Sequence, residues 1–203
     1  MNEMNKKPDV PVLAETTEGH EDVPLAEDTP WAQFMTDDEY YPFLVKKNLR
    51  PAMWRWRDLE PRLEEVRQDP LRRADRRFIA LVHGDTGEAG GAVPSVFIGI
   101  QTFNPGEHIV QHRHNSYAVY HIIQGTGYTI LDGEKFEWER GDTIVCTPWA
   151  MHEHVNTGTE PAIQYVFQDM PARAMERNLM WEEPVGRFFH MVQEGGTPHS
   201  DEE

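Results

Sequence analysis

The chain has 203 residues, and its 19 lysines and arginines against 35 aspartates and glutamates give a formal charge of -16. A chain of this length forms one domain with a sizeable core, and the acidic balance argues against nucleic acids and anionic membranes as partners. No apolar run reaches the roughly 20 residues of a membrane helix, and no signal peptide is recognisable. The chain has one cysteine, Cys146, which we expect to be a small buried hydrophobe. Since one cysteine cannot form an internal disulfide, we expect a cytoplasmic protein.

The N-terminal third of the chain shows little regular patterning. Residues 1–28 are rich in Glu, Asp, Pro and Thr, so they bury little apolar surface, and we expect a disordered acidic tail. Residues 29–77 are interpreted as a segment that wraps the core or a second subunit, because the stretch from Trp31 to Trp56 is aromatic and broken by prolines, a poor pattern for a helix or strand. Within it, the leucines of "DLEPRLEEVRQD" recur at helical spacing and predict one short amphipathic helix.

Residues 78–170 alternate apolar and polar side chains with a period of two. About eight short segments rich in Val, Ile, Phe, Tyr and Thr are separated by Gly, Asp and Pro, which indicates strands joined by turns. Asp132 and Gly133 favour a two-residue hairpin turn between two of them. Strands without intervening helices predict an all-β sandwich or small barrel. In residues 171–203, "PARAMERNLMW" predicts a helix, which a tail follows.

Two His-X-His pairs indicate a metal site. His112 and His114 point to the same face of a predicted strand, about 6 to 7 Å apart along it, so both rings can converge on one ion. His152 and His154 repeat the arrangement on a later strand, which a hairpin can bring alongside the first. His121 has the opposite strand parity to the first pair and is expected to face away. The two pairs together offer at least three neutral imidazoles to one cavity.

The spacing around these pairs resembles that of the cupin superfamily. Five residues separate Gly106 from His112, and the first motif closes on Gly125; the second begins at Gly141 and has Asn156 in the expected place. Most cupins carry a glutamate ligand in the first motif, and here that position holds alanine. The resemblance implies a cupin jelly-roll β-barrel with short flanking helices and a metal bound inside it.

Ala118 is the residue in the position of the cupin glutamate, and the change has a chemical consequence. Two histidines and a carboxylate would leave a divalent metal with a net charge of about +1, whereas three neutral imidazoles leave the full charge uncompensated. Such a site favours a chelating anion, such as a deprotonated phenol or enolate, and leaves one position for dioxygen. Imidazoles also bind Zn, Cu, Ni and Co, so the donor set alone does not select iron.

Within the cupins, the chain is similar to gentisate 1,2-dioxygenase and its salicylate-cleaving relatives. "PAMWRWRDLEP" looks like their Trp-rich segment, "RADRRFIALVHG" looks like the strand that follows, and "MHEHVN" looks like their second motif. The resemblance extends over residues 50–168. It implies a non-haem Fe(II) enzyme that cleaves the ring of a gentisate-, salicylate- or hydroquinone-like compound and inserts both atoms of O2.

The resemblance also implies roles for individual residues. His112, His114 and His152 would bind Fe(II), and Gln101 would line the substrate pocket. His154 would form a hydrogen bond with the substrate or the bound oxygen, and its imidazole could accept or return a phenolic proton.

Two departures from the family bear on the substrate and on assembly. Family members carry an arginine for the substrate carboxylate at the position of Tyr120, which can donate one hydrogen bond and stack on a ring but cannot form a bidentate ion pair. The substrate is therefore expected to lack the carboxylate or to present it elsewhere, with Arg76 or Arg77 as a candidate partner. The family enzymes usually contain two cupin domains and this chain contains one, so we expect a homodimer or higher homo-oligomer.

Three interpretations stay open at this point. The first is the Fe(II) ring-cleaving dioxygenase. The second is another metal-dependent cupin enzyme, such as one that cleaves a β-diketone or hydroxyketone, or a lyase or isomerase. The third is a non-catalytic cupin that binds a small molecule. Oxygen consumption separates the first from the third, and a panel of aromatic and β-diketone substrates separates the first from the second.

Overall fold

The structure, a computed structural model, describes residues 32–183 and the backbone of residues 187–190. The acidic tail predicted for residues 1–28 and the predicted C-terminal tail after residue 190 lie outside the described residues. The chain divides into two compact units, residues 1–47 and residues 48–203, and each is described by itself. No helix in the described part of the chain has the length and apolar character that crossing a bilayer requires.

The described part of the first unit contains helix α1, Asp37–Leu44, which the sequence pattern did not predict. Thr36 precedes the helix, and its backbone N–H donates to the Glu39 carboxylate at 2.8 Å. Asp37 and Asp38 add negative charge to the first turn, where the helix dipole favours it. The expectation of irregular structure here was wrong because these capping contacts stabilise the start of the helix locally, despite its aromatic content and internal proline.

The second unit begins with helix α2, Trp56–Gln68, which confirms the predicted amphipathic helix. Leu59 and Leu63 are its buried residues, and they pack with Leu81 and Ile100 in one hydrophobic cluster. The helix therefore covers part of the outer face of a sheet.

The remainder of the second unit is built from antiparallel strands. They are β1 (Phe78–Leu81), β2 (Phe97–Phe103), β3 (His108–His114), β4 (Ala118–Gln124), β5 (Gly127–Leu131), β6 (Glu134–Trp138), β7 (Thr143–Cys146), β8 (His152–Asn156), β9 (Ala162–Gln168), β10 (Met180–Glu183) and β11 (Arg187–His190). A five-stranded sheet has the order β1-β2-β9-β4-β7, and a six-stranded sheet has the order β11-β10-β3-β8-β5-β6. This arrangement confirms the predicted all-β cupin barrel.

The interior of the barrel holds a compact apolar cluster. Phe103, Ile109, Ile122, Trp138 and Ala162 are buried together, with the rings of Phe103 and Trp138 in edge-to-face contact at 6.3 Å. This packing fixes the two sheets against each other and leaves a cavity beside it, which His112 lines.

The turn between β5 and β6 has the conformation that its sequence predicts. Asp132 and Gly133 both adopt positive φ angles, of 48° and 88°. Two successive residues with positive φ are typical of the tight turns that join antiparallel strands. The register of β5 and β6 follows from this turn.

The segment after β9 contains the predicted helix, but the helix is shorter than its sequence pattern. Helix α3, Met170–Met175, ends well before the end of "PARAMERNLMW", because Arg177 has a φ of 57° and cannot continue a helix. The Asn178 backbone N–H donates to the Arg173 carbonyl oxygen at 3.0 Å and closes the helix end. The residues that follow form β10 and pair with β3. The predicted helix is therefore confirmed over its first part, and its last residues form a strand instead because pairing to a sheet outweighs local propensity.

Candidate metal centre and active site

Three histidines from neighbouring strands converge inside the barrel. His112 and His114 lie on β3, and His152 lies on β8 directly opposite His112. Their possible ligand nitrogens all lie within 4.8 Å of one another, and all three residues are buried. A bulge in β3 shifts the register between Ile109 and His112. An extra residue at a bulge lets both of these side chains face inward although they are an odd number of positions apart.

Hydrogen bonds to the backbone set the tautomer of these three imidazoles. Each Nδ1 lies next to a carbonyl oxygen, which can only accept, so each Nδ1 carries the proton and donates it. The acceptors for His112, His114 and His152 are the carbonyl oxygens of Val110, Ser116 and Ala150, at 2.8, 2.7 and 2.8 Å. Each Nε2 keeps its lone pair, and the buried Nε2 of His114 has no hydrogen-bond partner. Three convergent lone pairs of this kind fit a metal ion.

Burial keeps these imidazoles uncharged. Desolvation, with a smaller contribution from neighbouring His152, lowers the pKa of His114 to about 3. Desolvation, followed by the neighbouring rings of His152 and His114, lowers the pKa of His112 well below its usual value. Among the described residues, the group of possible metal ligands contains no carboxylate, and Ala118 is fully buried on β4. A divalent ion in this group would therefore keep its whole charge.

His154 lies beside the three-histidine group but outside it. Its Nδ1 is 2.8 Å from Thr129 Oγ1 on β5, and the same oxygen accepts a hydrogen bond from Trp138 Nε1 at 3.1 Å. Its Nε2 is buried without a hydrogen-bond partner. Burial lowers the pKa of His154 well below its usual value, so this imidazole is also neutral. The structure brings both His-X-His pairs into one site, as their spacing predicts.

Tyr120 approaches the histidines from the facing sheet. Its hydroxyl lies 3.4 Å from His152 Nε2, and its ring centroid is 4.3 Å from that of His154. Burial raises the pKa of Tyr120 well above its usual value, so the phenol stays protonated. The residue in the position of the family arginine is thus an uncharged hydrogen-bond donor that points at the site.

A cavity of about 240 Å³ reaches the histidine group at His112, and Gln101 and Tyr120 are also among its walls. Gln101 Oε1 accepts a hydrogen bond from Gln164 Nε2 at 2.9 Å, so the Gln101 amide is oriented by its neighbour. The apolar walls are Phe78, Phe97, Ile109, Val166, Met170 and Leu179. This combination of a few polar groups and an apolar surround is typical of a pocket for a small organic molecule.

Strand β10 closes one side of the cavity. The Trp181 ring stacks on the His112 ring, with centroids 5.0 Å apart and planes 9° from parallel. It also lies 4.8 Å from the His114 ring. The indole therefore packs against two of the three possible metal ligands and restricts their movement.

The two candidate arginines have different surroundings. Arg76 lines the cavity, but its guanidinium is paired with Asp75 at 2.8 Å and with Glu183. Arg77 pairs through Nη1 with both carboxylate oxygens of Glu107, at 2.7 and 2.6 Å, and is not a wall of this cavity. Of the two, Arg76 is therefore the arginine that the structure places at the cavity, and its charge is already compensated.

Two other expectations are confirmed. His121 faces out of the barrel, where its Nδ1 lies 3.0 Å from Thr143 Oγ1. Cys146 is fully buried, and burial raises the pKa of its thiol to about 12. Neither residue takes part in the site.

Sequence reasoning missed three residues that shape the site. Trp181 and Glu183 follow the cupin motifs, in and just after a segment with a helical pattern, so nothing in their spacing indicated a strand over the possible metal ligands. The sequence pattern could have indicated the position of Thr129. This threonine alternates with Gly127 along a predicted strand, and that parity would place it on the inner face.

Comparison with known proteins agrees with this architecture. Residues 99–167 match the family model of the Cupin domain. The chain is 34% identical over 177 residues to a 5-nitrosalicylic acid 1,2-dioxygenase from a Bradyrhizobium species, and the match covers 84% of each chain. It is also 34% identical over 133 residues to a gentisate 1,2-dioxygenase from a Ralstonia species, covering 64% of this chain and 38% of that enzyme.

The fold is shared with a solved structure, the salicylate 1,2-dioxygenase from Pseudaminobacter salicylatoxidans. The TM-score is 0.64 at 23% identity, and the match covers 70% of this chain and 41% of that enzyme. The chain thus spans about two fifths of the salicylate and gentisate enzymes but most of the Bradyrhizobium relative. Because its barrel is shared and its match to the Bradyrhizobium enzyme covers most of both chains, the chain belongs to the cupin family of gentisate and salicylate 1,2-dioxygenases.

Proposed function

We propose that the protein is a non-haem Fe(II) dioxygenase that opens the ring of a hydroxylated aromatic acid, with both atoms of O2 entering the product. The proposal rests on one observation, the three buried and neutral Nε2 donors that converge without a carboxylate among the described residues. Imidazole nitrogens are suitable ligands for Fe(II). Iron bound there would supply the Lewis-acid and redox chemistry that a phenol needs to react with O2.

The charge of the site supports a particular substrate class. A divalent ion held by uncharged ligands in a dry barrel is best compensated by a ligand that brings two negative oxygens. A 2-hydroxybenzoate, with its carboxylate and phenolate on adjacent ring carbons, is such a ligand. Relatives of this chain are named for 5-nitrosalicylic acid, gentisate and 5-aminosalicylate, all of which are 2-hydroxybenzoates. We therefore place a salicylate-type acid ahead of a hydroquinone.

The polar residues of the cavity support the same assignment. Arg76 already pairs with Asp75 and Glu183, so it is poorly suited to a bidentate ion pair with a substrate carboxylate. A carboxylate would then be held at the metal rather than at a guanidinium. Tyr120, as a protonated phenol, can donate one hydrogen bond to a substrate oxygen, and Gln101 can present its amide to the ring substituents.

The size and lining of the cavity fit a single substituted ring. A protein cavity of about 150 Å³ already binds benzene, and the cavity here measures about 240 Å³. Apolar side chains such as Phe78 and Phe97 would contact a bound ring and exclude water from it. Exclusion of water strengthens the electrostatic interactions of the bound anion with the site.

Oxygen consumption tests the proposal. Protein purified without oxygen and loaded with Fe(II) is offered salicylate, 5-nitrosalicylate, gentisate, hydroquinone and a β-diketone, and ¹⁸O2 is used to count the oxygen atoms in each product. We expect uptake with at least one 2-hydroxybenzoate and two labelled atoms in a ring-opened acid. Protein loaded with Zn(II) is the control and should consume none. Uptake with the β-diketone alone, or with nothing, would contradict the proposal.

We also propose that the enzyme is a cytoplasmic homodimer or higher homo-oligomer. Helix α1 exposes Tyr40, Tyr41, Phe43 and Leu44, and a cluster of exposed aromatic side chains is typical of a protein contact. Light scattering during gel filtration measures the mass. Substitution of Tyr41 and Phe43 by serine is expected to shift the species toward the monomer, and an unchanged monomeric mass in the native protein would contradict the proposal.

A further inference from the structure

The hydroxyl of Thr129 lies between two nitrogen groups with different hydrogen-bonding capacity. Trp138 Nε1 is 3.1 Å from this oxygen, and an indole nitrogen can only donate. The other neighbour is His154 Nδ1, at 2.8 Å, which can donate or accept depending on its tautomer. Thr129 and His154 are direct partners in the ladder between β5 and β8, so their contact is set by the register of two paired strands.

The position of the Thr129 proton follows from a count of donors and acceptors. Thr129 and His154 are both fully buried, and the described contacts give the Thr129 hydroxyl no acceptor other than His154 Nδ1. If His154 carried its proton on Nδ1, the threonine proton and the lone pair on the buried Nε2 would both be unsatisfied. If Thr129 donates to Nδ1, the proton of His154 lies on Nε2, and that N–H alone awaits a partner. A buried polar group without a partner costs free energy, so the second arrangement is favoured.

We propose that Trp138 and Thr129 hold His154 with its proton on Nε2, so that it offers an N–H to an oxygen atom of the molecule bound at the metal. This tautomer is the opposite of the one in His112, His114 and His152. It prevents His154 Nε2 from acting as a fourth metal ligand or as a base in the resting site, because that nitrogen has no lone pair to give. Thr129 and Trp138 are positioning residues, and neither touches the substrate. The inference deepens the proposed function and rests on it for the identity of the bound oxygen.

Packing around Trp138 explains why its indole keeps this position. Gly127 pairs with Trp138 across β5 and β6. A Cβ atom at Gly127 would lie 2.5 Å from the Trp138 ring and 2.0 Å from the Val155 carbonyl oxygen. The absence of a side chain at Gly127 therefore lets the indole lie flat against the strand with its N–H directed at Thr129.

Nitrogen NMR of the zinc-loaded protein tests the inference without any turnover. In long-range ¹H–¹⁵N spectra of ¹⁵N-histidine-labelled protein, protonated and unprotonated ring nitrogens have well separated shifts. We expect His154, assigned by the loss of its signals in H154Q, to be protonated on Nε2, and the three other histidines of the site to be protonated on Nδ1. A proton on Nδ1 of His154 would overturn the inference.

The variant T129V removes the hydroxyl and keeps the shape of the side chain. We expect His154 to lose its single tautomer, and kcat to fall about tenfold with a smaller change in KM. T102V is the matched control, because Thr102 is also a fully buried threonine of the barrel but its hydroxyl has no hydrogen-bond partner. Equal melting temperatures of the two variants would show that the changes in tautomer and kcat of T129V are not caused by a loss of folded structure. A T129V protein with the native His154 tautomer would overturn the inference, whereas failure of the native enzyme to consume oxygen would contradict only the proposed function.

Discussion

The two sheets of the barrel contribute different chemistry to the same cavity. Strands β3 and β8 of the six-stranded sheet carry all four histidines of the site. The five-stranded sheet opposite supplies Tyr120 and Gln101 and much of the apolar wall. Backbone carbonyl oxygens orient the three convergent imidazoles of the six-stranded sheet, whereas the facing wall is formed by side chains. The difference implies that substitutions in the five-stranded sheet can change the substrate range while metal binding is kept.

Loss of a histidine from the six-stranded sheet should have the largest effect. H114A removes one of three Nε2 donors, and we expect the affinity for Fe(II) to fall by more than about 100-fold, beyond the loss caused by removing a residue that only orients a ligand. Metal content after dialysis measures this loss, together with oxygen uptake. H121A, which changes an outward-facing histidine, is the control and should keep both. Full metal occupancy in H114A would show that the three-histidine group does not bind the metal.

Acid should destabilise the metal-free protein through the same histidines. Burial holds the pKa of His114 at about 3 and that of His112 and His154 well below the usual range. In the unfolded chain these groups titrate near about 6.5, so below that pH the unfolded state binds protons that the folded state does not. The free energy of unfolding should therefore decrease with falling pH, by up to about 1.4 kcal/mol per unit for each such histidine. Urea unfolding at pH 7 and pH 5 measures the change, and equal stability at both would show that the histidines are hydrated.

A smaller effect is expected from the five-stranded sheet. Y120F removes the hydroxyl that faces His152, and we expect the dissociation constant of salicylate, measured by calorimetry without oxygen, to rise about tenfold while the iron content stays unchanged. Y128F is the control, because the Tyr128 ring lies 4.5 Å from the Lys135 ammonium and is not among the walls of the cavity. Loss of iron in Y120F would mean that the two sheets do not divide their contributions in this way.

The smallest effect is expected from treatment with a thiol reagent, whose only target is Cys146 on β7 of the five-stranded sheet. Burial raises the pKa of this thiol to about 12, so almost no thiolate exists at pH 8. The folded protein should therefore resist alkylation by iodoacetamide and react only after unfolding in urea, which mass spectrometry detects. Rapid labelling of the native protein would show that this part of the sheet opens to solvent.

The sequence allowed prediction of the strands and of the histidine cluster for a specific reason. Both depend on alternation along a strand, so His112 and His114 had to share a face, and the spacing of His152 and His154 resembled the same family pattern. The outward orientation of His121 follows from the same parity.

The features that escaped prediction depend on contacts between distant parts of the chain. The bulge in β3 is visible only in the pairing with β8. The pairing of Arg76 with Glu183 joins residues more than 100 positions apart and changes what that arginine can bind. Strand β10 lies where the local pattern favours a helix, and only its pairing with β3 makes it a strand.

The position of β10 has a consequence for how long a metal ion stays bound. The indole that stacks on His112 belongs to a strand that follows the matched cupin residues, 99–167, so the shield over the possible ligands lies beyond the part of the chain that the family model covers. A chain shortened after Met175 would keep its three donors but open them to bulk solvent on that side. Exchange with a chelator would then be faster, and the lifetime of the loaded enzyme would depend on four residues of its C-terminal region.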